Sequence, residues 1–224
     1  MRLSIIIPAL NEADHIGALL ADLAPARAAG HALILVDGGS EDATPTLAAS
    51  GVDRVLRAPR GRAAQMNAGA QAATGEFLWF LHADTRSPPG AAEALLAACR
   101  DGACWGRFDV RLSGRHPLLR LVEWTMNRRS RLTGIATGDQ GIFVTRDAFA
   151  RVGGFPDIPL MEDIALSKRL RRIARPACLR PLLLTSSRRW ESRGVLRTIL
   201  LMWRLRLAFA LGADPARLAR RYDG

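Results

Sequence analysis

The feature that most constrains the fold is a set of three apolar runs in the first 84 residues, each followed by a carboxylate. The runs are residues 3–7, 33–36 and 77–81, and the acids that follow them are Glu12, Asp37 and Asp84. Such runs, separated by helical patterns, are typical of parallel strands covered on both faces. In such sheets ligands bind beyond the carboxyl ends of the strands. The sequence therefore predicts that the three acids meet at one pocket, which suits a metal ion and a nucleotide.

Strand-like and helix-like patterns alternate along residues 1–84 and become less regular afterwards. This alternation predicts parallel βαβ units with right-handed crossovers. The expected strands are residues 3–7, 33–36, 53–57, 76–82, 105–112 and 142–145. The expected helices are residues 14–23, 61–74, 88–100, 117–131, 164–174 and 195–211, with a short one opened by Ser40, Glu41 and Asp42. We therefore expect an α/β fold, with a Rossmann-like, mostly parallel central sheet and helices on both faces.

The excess positive charge is confined to the last quarter of the chain. Residues 1–163 hold 17 Lys or Arg against 18 Asp or Glu, whereas residues 164–224 hold 15 against 3. A surface for nucleic acid would be expected to spread further along the chain, so we do not expect nucleic acid as a partner. The C-terminal segment is instead expected to meet an anionic partner of its own.

Cysteine usage and hydropathy bear on the compartment. Cys99, Cys104 and Cys178 are odd in number and have no metal-ligand spacing, which indicates free thiols in a reducing compartment. The N-terminus lacks the pattern of a signal peptide. The sequence contains no run of about 18 apolar residues, so a membrane-spanning helix is not expected. A cytoplasmic protein is expected.

Each motif has an ordinary structural explanation when it is taken alone. An acid after a strand, such as Asp84, can cap a helix or a turn. Glu162 and Asp163 can stabilise a helix start through its dipole, but a carboxylate near the sheet edge can also act as a general base. Arg60 and Arg62 can contact phosphate at a helix start or remain solvated. The residues alone leave these alternatives open.

The order of the motifs, however, resembles the family 2 glycosyltransferases. The segments that carry the resemblance are Ile-Ile-Pro8-Ala-Leu-Asn11-Glu12, Val36-Asp37-Gly-Gly-Ser40, Asn67-Ala-Gly69, Phe80-Leu-His-Ala-Asp84-Thr and Glu162-Asp163. They cover roughly residues 3–190. The resemblance implies the GT-A fold, a nucleotide-diphospho-sugar donor and inversion at the anomeric carbon. The longer string is similar to a small bacterial subgroup often found beside radical-SAM and selenium-related proteins.

The same resemblance implies roles for individual residues. The residues expected to line the nucleotide sugar are Pro8, Ala9, Asn11, Glu12, Asp37, Gly38, Arg62, Asn67, His82 and Ala83. Asp84 would bind a divalent metal, Mn²⁺ or Mg²⁺. Asp163 would deprotonate the acceptor hydroxyl, with Glu162 positioning it. The resemblance also places Asp139 and Gln140 near the acceptor. Arg189 and Trp190 can hold a phosphate or simply belong to the basic C-terminal segment.

The chain departs from the family pattern in two places. His82-Ala83-Asp84 replaces the D-x-D motif, so the metal would have fewer carboxylate contacts. The Q-x-x-R-W signature of processive synthases is reduced to Arg189-Trp190, with Ser186 in place of Gln. Together with the lack of membrane spans, this favours transfer of a single sugar. The alternatives are a nucleotidyltransferase, which normally has a Gly-rich basic loop after the first strand, and a non-catalytic nucleotide- or membrane-binding protein.

These expectations divide the chain into segments. Residues 1–190 form the GT-A domain, with a nucleotide-sugar half at 1–84 and an acceptor half at 85–190. Residues 191–224 form a basic amphipathic helical segment. Residues 195–221 suit an anionic membrane surface, which would place the protein on the inner face of the cytoplasmic membrane, near a lipid-linked acceptor. The alternative is that this helix packs on its own domain or on a second subunit, as in a homodimer.

Overall fold

A seven-stranded sheet forms the centre of the computed structural model, which describes residues 1–223. The strands are β1 (Leu3–Ala9), β2 (Ala32–Asp37), β3 (Arg54–Arg57), β4 (Phe77–Phe80), β5 (Trp105–Leu112), β6 (Phe143–Thr145) and β7 (Ala177–Thr185). Their order across the sheet is β3-β2-β1-β4-β6-β5-β7. The neighbouring strands are parallel, except that β6 is antiparallel to both β4 and β5. The expected α/β fold with a mostly parallel sheet is confirmed.

Helices lie on both faces of this sheet. They are α1 (Ala13–Ala28), α2 (Thr44–Ala48), α3 (Arg62–Ala72), α4 (Ala91–Arg100), α5 (Pro117–Thr133), α6 (Arg146–Arg151), α7 (Glu162–Leu170), α8 (Arg188–Arg193), α9 (Val195–Ala210) and α10 (Pro215–Asp223). Successive side chains of β1 point to opposite faces: Ile5 and Ile7 belong to the core that includes Leu19 of α1, whereas Ile6 packs in the core that includes Met66 of α3. All seven β1 residues are buried, as the apolar runs predicted.

Several predicted helix boundaries were wrong, including those of the following two helices. The short helix predicted at residue 40 begins only at Thr44, because Asp42 accepts hydrogen bonds from the backbone N–H groups of Thr44 and Ala13 and holds residues 40–43 as a loop. The helix predicted for residues 164–174 begins at Glu162 and ends at Leu170. The acidic pair therefore lies within the first turn of α7 rather than before it.

The segment after residue 170 contains the predicted helix α9 and three elements that the sequence did not predict, β7, α8 and α10. β7 pairs in parallel with β5, with an irregularity between Phe108 and Asp109. Helices α9 and α10 pack back onto the domain, where Leu205 and Leu218 are each 2 % exposed. Among the helices described here, none has the length and apolar character that crossing a bilayer requires.

Candidate active site

A cleft of about 770 Å³ opens beyond the carboxyl ends of β1 and β4. This volume is in the range of clefts that bind small ligands and cofactors. The predicted site residues that line it are Pro8, Ala9, Glu12, Arg62, His82, Ala83, Asp84, Asp139, Arg189 and Trp190. The strand-end position agrees with the rule for open α/β sheets. The sheet therefore brings together residues that are up to about 180 positions apart in the chain.

A buried glutamine that was not among the predicted site residues holds the ends of two strands together at this cleft. Gln65 of α3 is 4 % exposed, and its Nε2 donates hydrogen bonds to the carbonyls of Ala9 and Val36, both at 2.8 Å. A Cβ added at Gly38 would lie 3.0 Å from the Gln65 side chain. A side chain at position 38 would therefore have to displace Gln65 by a few tenths of an ångström. The only sequence signal was a glutamine within an otherwise Ala-rich helix.

One side of the cleft is acidic. Glu12 and Asp84 follow β1 and β4, and burial together with the negative charge of Asp84 raises the pKa of Glu12. Glu12 Oε1 pairs with Arg188 Nη2 at 3.2 Å, while Oε2 is buried without a hydrogen-bond partner among the described residues. A buried carboxylate oxygen that lacks a partner is costly, unless a cation or a donor completes it.

A short 3₁₀ turn, Gly138–Gln140, contacts both His82, which follows β4, and Asp163 of the acidic pair in α7. His82 Nδ1 lies 3.4 Å from Asp139 Oδ1, and the backbone N–H of Gly138 donates to Asp163 Oδ2 at 2.8 Å. Desolvation opposes ionisation of Asp139, whose side chain is 43 % exposed, but the contact with His82 and the charge of Arg62 outweigh it and lower the pKa of Asp139. The turn thereby fixes the spacing between His82 and Asp163.

The backbone at the start of α7 is held in an uncommon conformation. Met161, the residue before the acidic pair, has a φ of 69°, which is rare for a residue with a side chain. Asp163 Oδ1 accepts a 2.6 Å hydrogen bond from the N–H of Ile164. Burial raises the pKa of Glu162 to about 7, with Asp163 adding to the shift and Arg62 opposing it. Such strain and such shifted pKa values cluster at functional sites.

The opposite side of the cleft is basic and is completed by the C-terminal helix. Tyr222 of α10 lines the cleft beside Arg62. The Arg189 guanidinium lies 3.7 Å from the centre of the Tyr222 ring. Desolvation would lower the pKa of Arg62, but the neighbouring Tyr222, Glu162 and Asp139 outweigh it and raise that pKa, so the guanidinium stays charged. Tyr222 was missed because no local pattern connects it with residue 62.

Several residues predicted to bind the nucleotide sugar do not line the cleft. Their side chains form hydrogen bonds with the surrounding backbone instead. Asp37 accepts from the N–H groups of Gly39 and Ser40. Asn11, whose φ is 54°, accepts from the N–H of Glu41 at 2.8 Å. Asn67 exchanges two hydrogen bonds with the backbone of Phe155.

Four further predicted residues are also absent from the cleft lining. Gly38 donates its N–H to the carbonyl of Ala9. Gln140 is fully buried and caps its own turn through Thr137. Glu162 and Asp163 do not line the cleft either, but both lie near Arg62, which does, and Asp163 accepts a hydrogen bond from the N–H of Gly138. Their predicted roles in binding or catalysis stay predictions.

The residues present give a partial fit to a divalent metal. Within residues 1–223, no group of three His, Cys, Asp or Glu side chains is arranged to hold a metal ion. The unpartnered Oε2 of Glu12 beside the Asp84 carboxylate nevertheless provides the hard oxygen ligands that Mg²⁺ and Mn²⁺ prefer. A metal at this place would need ligand oxygens from water or from a bound diphosphate.

Comparison with known proteins identifies the family. Residues 4–152, more than half of the chain, match the model of glycosyl transferase family 2, and the chain belongs to this family. No curated protein matches the sequence.

Solved structures show the same fold. S. aureus TarS 1–349 matches with a TM-score of 0.66 at 17 % identity, covering 84 % of this chain and 61 % of that one. Glucosyl-3-phosphoglycerate synthase from Mycobacterium tuberculosis, solved with Mn²⁺, UDP and glucosyl-3-phosphoglycerate, matches with a TM-score of 0.62 at 19 % identity, covering 80 % and 70 %. This chain thus spans about three fifths of the TarS structure.

Proposed function

We propose that this protein transfers one sugar from a nucleotide-diphospho-sugar to an acceptor hydroxyl, with inversion at the anomeric carbon. The observation that carries the proposal is a strand-end cleft with an acidic side at Glu12 and Asp84 and a basic side at Arg62 and Arg189. Supporting it, TarS was solved with UDP and with UDP-GlcNAc, and the mycobacterial synthase with UDP-glucose. The proposed donor is therefore a UDP-sugar or a related nucleotide sugar.

In this proposal Asp84, with Glu12, would hold a divalent metal. Mn²⁺ or Mg²⁺ bound there would offset the negative charge of the diphosphate. The protein's own contribution on the other side is the Arg62 guanidinium, whose charge would stabilise the departing diphosphate oxygen. Pro8 and Ala9 at the end of β1 would contact the nucleotide.

Asp163 is the proposed general base. Its two oxygens accept hydrogen bonds from the N–H groups of Gly138 and Ile164, which hold the carboxylate in one orientation. It would take the proton of the acceptor hydroxyl as that oxygen attacks the anomeric carbon, and the electron pair of the breaking carbon–oxygen bond would leave with the diphosphate. Glu162 would position Asp163 through the shared first turn of α7.

Tyr222 has a proposed role in donor binding. Tyr222 lines the cleft beside Arg62, and its phenolic proton is available to an acceptor bound there. Burial raises the pKa of Tyr222, so the phenol keeps this proton at neutral pH. The proposed acceptor of the proton is a diphosphate oxygen of the donor.

The replacement Asp163→Asn tests the assignment of the base. The amide keeps the size of the side chain but cannot accept a proton, so we expect turnover to fall about 10²–10⁴-fold while donor affinity is unchanged. The measurement is release of nucleoside diphosphate, with donor binding followed by calorimetry. Full turnover in this variant would move the base to another residue, with Glu162 as the first candidate.

A non-catalytic nucleotide-binding protein is the second candidate function. It is favoured by His82 in place of a carboxylate and by the lack of a three-ligand metal cluster in residues 1–223. Nucleotide-sugar binding by a folded protein that transfers no sugar to any hydroxyl acceptor or water would support it. The loop after β1 lacks the Gly-rich basic pattern of a nucleotidyltransferase. A lipid-linked acceptor, a membrane surface and a second subunit, which the sequence also suggested, stay proposals about partners.

A further inference from the structure

Helix α9 is apolar on two opposite faces. Val195, Thr198 and Leu205 are buried against the domain. The other face presents five large apolar side chains, each between 61 and 80 % exposed: Leu196, Leu200, Trp203, Leu207 and Leu211. At about 100° per residue these five fall within roughly 80° of one another. They are named here the α9 stripe.

Folding of the domain does not account for the α9 stripe. The buried face already attaches α9, through Val195 to the core that includes Val122 of α5 and through Leu205 to the core that includes Leu218 of α10. The neighbouring α5 also exposes Leu121 and Trp124. Soluble monomers rarely expose contiguous apolar patches of this kind, and such patches mark interaction sites.

The charges of α9 itself that border the α9 stripe are all positive. Arg197 and Arg204 are exposed and lie one helical turn from Leu200, along one edge of the stripe. Arg206 lies along the other edge and is half-buried. α9 contains no acidic residue. The surface is therefore apolar in the middle and cationic at its margins.

We propose that the α9 stripe docks on an anionic lipid bilayer. The four leucines and Trp203 would enter the boundary between headgroups and acyl chains, where tryptophan is favoured. Arg197 and Arg204 would meet the lipid phosphates. The cleft would then lie beside the membrane, because α8, which lines the cleft, leads directly into α9.

A second copy of the chain fits the same surface less well. A two-fold interface would place the stripe against itself and bring arginines toward arginines. Since α9 offers no carboxylate to pair with them, like charges would oppose this contact. An anionic bilayer complements the same charges.

Vesicle sedimentation of the full chain tests the proposal. The vesicles contain either phosphatidylcholine alone or phosphatidylcholine with phosphatidylglycerol, at low and high salt. Leu200→Glu and Leu207→Glu interrupt the stripe, and Leu47→Glu is the matched control because Leu47 of α2 is 52 % exposed elsewhere. We expect wild type and Leu47→Glu to bind the anionic vesicles at low salt, and the stripe variants to bind at least about tenfold more weakly.

Three results would overturn the proposal. The first is a folded wild type that does not bind anionic vesicles at low salt. The second is equal loss of binding in Leu47→Glu and Leu200→Glu, since binding would then not depend on the stripe. The third is a wild-type dimer in sedimentation velocity that Leu200→Glu converts to a monomer, which would assign the stripe to a second copy. Circular dichroism of each variant verifies that it is folded.

Discussion

Gly138 lies between the imidazole of His82 and the carboxylate of Asp163. A Cβ at this position would be 2.6 Å from His82 Nε2 and 3.9 Å from Asp163 Oδ2. We expect Gly138→Ala to displace His82 and to reduce turnover at least about tenfold, because small displacements of positioned groups have large effects on rate. The measurement is kcat and KM for sugar transfer, with unfolding followed in parallel.

Gly17→Ala is the matched control for Gly138→Ala. Gly17 lies in α1, and a Cβ there would meet nothing within 4 Å. Since alanine is favoured over glycine inside a helix by about 0.5–1 kcal/mol, this control should be slightly more stable and equally active. Equal turnover in Gly138→Ala and wild type would show that the turn does not position the site.

Tyr222→Phe isolates the phenolic hydroxyl. The ring that contacts Arg189 is kept, so we expect loss of one hydrogen bond to the diphosphate, about 1 kcal/mol or roughly fivefold in affinity. Calorimetry with a nucleoside diphosphate should show this loss, and a nucleoside monophosphate should show a smaller one. Tighter diphosphate binding by the variant would mean that Tyr222 obstructs the donor instead of holding it.

At the level of elements, the first turn of α7 couples stability to pH. The ordinary pKa of glutamate is 4.5, and burial first, then Asp163, raise that of Glu162 to about 7. The folded state therefore binds a proton that the unfolded state releases between these values, and the free energy of unfolding falls as pH rises through this window. Glu162→Gln removes this dependence.

We expect the free energy of unfolding of Glu162→Gln, relative to that of the wild type, to rise by about 1–3 kcal/mol when the pH is raised from 5 to 8. Urea unfolding at both values measures it. Glu41→Gln, which replaces an exposed acid in the loop before α2, is the control and should show little change. A difference between Glu162→Gln and wild type that is the same at both pH values would contradict the assigned pKa.

The sequence predicted the elements whose local patterns are strong. β1 and β4 are continuous apolar runs, and both were found at the cleft. β7 was missed because Arg180 and Pro181 interrupt its apolar pattern and many of its residues are half-buried. It forms by pairing along β5, which depends on contacts between distant parts of the chain.

The same distinction holds for the site. The sequence could predict Glu12, Asp84 and Arg62, because each follows a strand or starts a helix within residues 1–84. Gln65 and Tyr222 could not, because their roles depend on distances that only the folded chain sets: Gln65 reaches two strand ends, and Tyr222 meets Arg62 across 160 positions.

Across the whole molecule, residues of the C-terminal helices complete the lining of the cleft. Arg188 of α8 pairs with Glu12 after β1, and Tyr222 of α10 contacts Arg62 at the start of α3. The predicted boundary at residue 190 therefore separates segments that share one cleft. The division into a nucleotide-sugar half and an acceptor half stays a prediction.

Calorimetric titration of the wild type and Asp84→Ala with a panel of nucleotide-diphospho-sugars, with and without Mn²⁺, tests whether the cleft binds a nucleotide sugar through a metal at Asp84. Asp101→Ala, an exposed acid after α4, is the control. We predict that the wild type and the control bind at least one donor in a Mn²⁺-dependent manner and that Asp84→Ala loses this binding. A folded wild type that binds no member of the panel, or an Asp84→Ala variant that binds as wild type does, would contradict the account.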